Sequence, residues 1–174
     1  MDRFDDLIQR IKVRVADPLR ARDTAAWTRP LRPLPPPVTD TDLDAAEAAL
    51  GFAMPPLLRR LYTEVANGRW GPDSGLGGIP SNGAEPEAGD IVSFYQECVS
   101  PDRDLENPAV RWPCGLVTLI NSHQMEVCDF LTPTYPLYLL DIEEWDLDRP
   151  VVESLVLIAA SLEERLESWL SGPT

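Results

Sequence analysis

The chain has 174 residues, with 15 Lys and Arg, 29 Asp and Glu and a single His, for a formal net charge of −14. That length fits one domain and buries enough surface to fold without a metal or disulfide staple. A content of 44% apolar and 25% charged residues describes an ordinary globular protein, and a pI near 4.3 argues against nucleic acid as the ligand, because phosphate binding needs basic surface.

No apolar run approaches the roughly 20 residues of a membrane span. The opening MDRFDDLIQR mixes charges of both signs and lacks the apolar core of a signal peptide. Cys98, Cys114 and Cys128 are an odd number with no paired spacing, so free thiols in a reducing cytoplasm are expected. Charge is unevenly distributed. Residues 1–32 carry eight basic and five acidic groups, a net of +3, and residues 33–174 carry seven and 24, a net of −17. The boundary falls at Arg29–Pro37, whose three consecutive prolines favour a stiff polyproline II spacer. Residues 1–33 therefore read as a helical arm and Pro-rich connector, and residues 34–174 as the main domain.

In the arm, Phe4, Leu7, Ile8, Ile11 and Val15 line one helical face and Pro18 stops the helix. This face is expected to pack on the body of the chain, with a partner-binding helix as the alternative. The arm's positive charge would also suit an acidic body. Thr39–Gly51 has a Thr cap, Asp in its first turn and Gly as its stop. Met54–Gly68 starts a helix with Pro and closes it with Asn67-Gly68. Arg69–Gly89 reads as surface loop with a short strand near Leu76–Ile79. Asp90–Val99 has helical spacing under an Asp cap, with a short strand as the alternative. Gly115–Asn121, Met125–Leu131 and Leu137–Ile142 read as strands, and their short connections favour an antiparallel meander. A fourth strand is expected within Glu153–Ala160. Ser161 and Glu164 form a capping box that opens a last helix ending at Gly172-Pro173.

No catalytic constellation is apparent, and no enzyme activity, cofactor or metal is expected. His123 and Cys128 would lie on opposite faces of a strand, and no C-x-x-C exists. A nucleophile would have to use His123, which has no suitably spaced partner. The glycines at 71, 75, 77 and 78 lack the G-K-[ST] ending of a phosphate loop. Asp141–Asp148 (DIEEWDLD) places five carboxylates around Trp145. It reads either as a solvated face or as a docking surface that steers a basic protein and anchors it on an aromatic.

The segments LPPPVTDTDLDAAEAALGFAMPPLLRRLYTEVANG, WPCGLVTLIN and SLEERLESWLSG, in that order, resemble the SUKH superfamily. That group includes bacterial immunity proteins and yeast cell-wall assembly regulators. The matching positions are Glu47, Leu50, Gly51, Pro55, Leu61, Tyr62, Asn67 and Gly68, then Trp112, Pro113 and Gly115, then Ser161, Leu162, Trp169, Leu170 and Gly172. The chain departs from the pattern at Asn121–Gln124, where related sequences carry a Gly-Cys or Gly-Gly turn. The resemblance spans residues 34–172. It implies an α+β fold, a mostly antiparallel sheet of about four to six strands with helices packed beside it. It also implies an immunity protein that binds and neutralises a cognate toxin, often a nuclease, without catalysis. Such a toxin would be basic and suit an acidic inhibitor. The candidate partner-binding residues are Trp70, Asp141, Glu143, Glu144, Trp145, Asp146 and Asp148. The alternative is a regulatory or scaffold domain with no toxin partner.

Overall fold

A computed structural model describes residues 2–22, 33–81, 90–100, 111–122, 124–141, 143 and 149–172. The order is α1 (Asp5–Val15), α2 (Asp40–Leu50), α3 (Pro56–Glu64), α4 (Ile91–Val99), β1 (Leu116–Ile120), β2 (Gln124–Asp129), β3 (Leu137–Asp141), β4 (Leu155–Ala159) and α5 (Leu162–Ser171). A 3-10 turn, Val151–Ser154, leads into β4. The four strands form one antiparallel meander in the order β1-β2-β3-β4. The fold is α+β, with α4 against β1 and α5 against β4. No helix among the described residues is long and apolar enough to cross a membrane.

Local chemistry sets the helix ends. Thr39 and Asp42 form a reciprocal box: Thr39 Oγ1 accepts from the Asp42 amide at 3.2 Å, and Asp42 accepts from the Thr39 amide at 2.9 Å. Gly51 ends α2 with φ +86°, a conformation costly for any residue bearing a Cβ. Glu47 then accepts from the Met54 amide at 2.7 Å and pairs with Arg59, fixing the α2–α3 turn. Asp90 caps α4 through the Ser93 amide at 2.6 Å, so the helical reading of this segment holds. Ser161 caps α5, but Glu164 reaches back to the Ala160 amide rather than to that of Ser161. The expected box is thereby shifted onto the end of β4.

The arm helix belongs to the core. Leu7, Ile8 and Ile11 of α1 are buried in the same apolar cluster as Leu43, Leu58, Leu61, Val127, Leu140 and Leu166. Its polar side is latched to acidic neighbours: Arg3 and Arg10 pair with Glu163 and Glu167 of α5, and Lys12 with Glu64 of α3. Arg60 holds the Glu64 carboxyl, and Arg10 the Glu167 carboxyl, below the ordinary glutamate range. The arm thus neutralises part of the acidic body while burying its apolar face. Arg14, itself buried, donates to the Trp169 carbonyl at 2.7 Å and stacks over the Trp169 ring at 4.2 Å. It serves as a cationic cap for the carboxyl end of α5.

Two expectations are corrected. The helix expected over Met54–Gly68 runs only from Pro56 to Glu64. Past Glu64 the backbone leaves the helix, the Asn67 amide nitrogen donating to the Pro36 carbonyl at 3.3 Å, and the Asn67 side chain is committed elsewhere. Asn67 Oδ1 accepts from the Ile79 amide at 2.8 Å and Nδ2 donates to the Ile79 carbonyl at 2.9 Å. The strand expected near Leu76–Ile79 is instead an irregular strap with a single bridge from Gly78 to Asp90. Asn67 takes both backbone groups of Ile79, so no ladder can continue there.

Candidate interaction surface

The two outer strands of the sheet have opposite surroundings. At β1 all five residues are buried. The strap lies beside this strand, with the Gly77 amide donating to the Leu119 carbonyl at 2.7 Å. Gly68 and Gly77 make the approach feasible. A Cβ on Gly68, whose φ is +78°, would stand 2.7 Å from the backbone of Leu76, Gly77 and Gly78. Tyr62 supports the strap from below: its hydroxyl donates to the Gly77 carbonyl at 2.8 Å, and burial pushes the phenol far above its ordinary value.

Strand β4 is the opposite case. It pairs with β3 on one side and ends the sheet. Val156 is 61% exposed and Leu157 59%, Ile158 is exposed as well, and Val152 extends the apolar patch into the preceding turn. Alternate residues of an outer antiparallel strand direct both N–H and C=O outward, so β4 offers a row of pairing groups beside apolar side chains. Natural outer strands are commonly blunted by Lys, Pro or an inward charge. The segment LVLIA contains none of these; its one irregularity is a register shift against β3 that leaves Ile158 as the extra residue between Leu157 and Ala159.

The surroundings of β4 are acidic. Asp141 ends β3 beside the start of β4, half-buried, and accepts from the Glu143 amide at 3.0 Å. Glu143 and Glu153 are exposed. The described residues of 141–153 comprise three carboxylates and one arginine, a net of −2. A groove of about 490 Å³ adjoins the strand, lined by Asp73, Gln124, Glu126, Leu139, Ile158, Arg165 and Ser168. Its wall carries a forked ion pair, with Arg165 Nε donating to Glu126 at 2.9 Å while Glu126 is only 4% exposed. A carboxylate this buried is tolerable because both its oxygens are met by the guanidinium.

Of the candidate partner-binding residues, Asp141 and Glu143 lie at this surface. Glu144, Trp145, Asp146 and Asp148 fall outside the described residues, as does His123. Trp70 is a correction, because its side chain has no solvent exposure. Its indole packs against Trp169, ring centroids 6.1 Å apart, and donates weakly to the Ala66 carbonyl. With Arg14 over the other ring, it fastens α1, α5 and the strap together. Trp70 is therefore a core residue and cannot meet a partner.

The residues carrying the family resemblance act in local architecture. Glu47, Gly51, Asn67, Gly68 and Trp169 do so as described above. Pro55 precedes α3, with Pro56 in its first turn. Trp112 donates to the Leu116 carbonyl at 2.6 Å, and Pro113 leads into Gly115, whose φ of +80° and contact with Leu131 exclude a side chain. Cys98 and Cys128 are buried and Cys114 is exposed, and no disulfide joins them. Among the described residues, no three His, Cys, Asp or Glu side chains are grouped to hold a metal ion.

Sequence reasoning anticipated β4 but not its exposure. A continuous apolar run with β-branched residues reads as a strand buried on both faces. The missed signal was position: the run is the last in the meander, so only one flank can be paired. Compared with protein-family models the chain matches none, and no curated protein matches it.

Proposed function

We propose that the protein acts by stoichiometric association with another macromolecule, as an immunity protein that occludes a cognate basic toxin in the cytoplasm. The observation that carries this reading is the bare apolar outer strand β4, with the carboxylates of Asp141, Glu143 and Glu153 near its start. An exposed apolar patch rimmed by charge is the usual mark of a protein interface. The acidic rim would steer a basic partner and set its approach rate, and the apolar strand would hold it. A net charge of −14 also disfavours nucleic acid as the ligand. The resemblance to SUKH immunity proteins supports the choice of a toxin over other partners.

Co-expression with the product of the neighbouring gene tests the role, the expected outcome being rescue of growth. A partner that proves to be a regulatory protein with no toxicity of its own would favour the scaffold alternative.

A further inference from the structure

We propose that the partner is engaged by strand addition: an extended segment of a basic protein pairs with β4 as a fifth strand of the sheet. This inference rests on the protein-binding role proposed above and names its mode. Three observations meet at one place. The outer strand has no pairing partner beyond β3 among the described residues. Val156, Leu157 and Ile158 offer apolar side chains that lie beside any added strand. The opposite strand, β1, is sheltered by the strap, whose Gly77 amide already meets Leu119. Among the described residues the sheet is therefore protected at one edge and open at the other.

Charge selects the occupant. A second copy joined at β4 would bring two sets of Asp141, Glu143 and Glu153 near each other, at a cost in like-charge repulsion. An added strand with Lys or Arg at alternate positions would instead run past Glu153, in the turn leading into β4, with Asp141 and Glu143 adding negative potential from the neighbouring end of β3. In strand addition the main chain supplies affinity and alternate side chains supply selectivity. An apolar–basic alternation in the partner segment matches both features of this edge.

The test uses the full chain and a fluorescein-labelled peptide of alternating valine and lysine, about eight residues long to match a typical strand. A comparator peptide carries N-methyl groups on two adjacent central residues. This removes main-chain donors from both edges and preserves charge and side chains. The account expects saturable binding of the first peptide and about tenfold or greater weakening for the comparator. Equal affinity of the two peptides, or no binding of the first, overturns strand addition. The double variant Val156→Lys with Leu157→Lys places charge on exposed positions and is expected to abolish binding while retaining the thermal midpoint. A variant that stays folded and binds normally also overturns the proposal. Sedimentation velocity of the wild type should show a monomer. A dimer lost in the double variant would mean that β4 is occupied by a second copy, contrary to the proposal. Growth rescue separates the two levels of the account. Rescue by the double variant sinks strand addition and leaves neutralisation standing. Peptide binding without rescue by the wild type supports strand addition and removes the toxin.

Discussion

The outer strands β1 and β4 have similar apolar sequences, LVTLI and LVLIA, yet one is wholly buried and the other largely exposed. The difference comes from their surroundings. Strand β1 is sheltered because the Asn67-Gly68 turn sends the strap along it, with Tyr62 and Asn67 fixing the strap's backbone. Strand β4 is followed by α5, which packs against it, and no described element pairs with its outer edge. An edge that could be closed by glycine geometry on one side and is left apolar on the other points to a use for the open side.

The largest effect should come from breaking the closed side. Gly68→Ala forces a Cβ into the strap backbone at 2.7 Å and strains a φ of +78°. A loss of about 3–4 kcal/mol is expected in urea unfolding. Gly51→Ala sharpens the comparison: its φ is +86°, but nothing lies within 4 Å. Only the backbone term remains, about 1 kcal/mol. Near-equal losses for the two glycines would show that crowding by the strap has little weight.

Asn67→Ala should follow in size. It leaves the buried amide and carbonyl of Ile79 without their side-chain partners. A cost of about 2–3 kcal/mol is expected, with faster amide exchange at Ile79. Glu126→Ala strands Arg165 beside the groove. Because Arg165 retains 21% side-chain exposure, the expected loss is smaller, roughly 2 kcal/mol, than for a fully buried pair. The lysine pair at Val156 and Leu157 comes last, with stability changed by less than about 0.5 kcal/mol. A large loss there would mean that β4 is a core strand after all.

Acid should weaken the ion pairs around the arm. The pairing of Glu64 and Glu167 with arginines lowers their folded-state pKa below the ordinary 4.5. Their contribution is therefore present above that value and disappears as pH falls through the depressed range. Glu167 pairs with Arg10 of α1 and Glu64 chiefly with Arg60 of its own helix, both partly exposed, so a stability loss of at most about 1 kcal/mol is expected in this window, read from urea unfolding as a function of pH. At the other end, burial raises the Tyr62 phenol above its ordinary 10.0 and the Cys128 thiol above 9.0. Ionisation in the unfolded chain alone then erodes stability as pH rises past those values.

Much of this fold was legible in local patterns. Helix caps such as Thr39, Asp90 and Ser161, and the alternation around Met125–Asp129, depend on neighbours a few residues away. The α1 face was legible too, since its apolar spacing had to be buried somewhere. Failures occurred where one side chain is claimed across the fold. Asn67 signals a helix stop locally, but its real partner is Ile79. Trp70, met in a Gly-rich loop, reads as an exposed anchor, and only the approach of Trp169 makes it interior. The openness of β4 is likewise a matter of strand order, which no window of sequence contains.

Amide hydrogen exchange, measured on the free protein and on its complex with the neighbouring gene's product, bears most directly on occlusion at the open edge. The account predicts that complex formation slows exchange at alternate amides of Leu155–Ala159 and leaves Leu116–Ile120 unchanged. Unaltered exchange throughout β4, with slowing confined to α1 or another face, would contradict it.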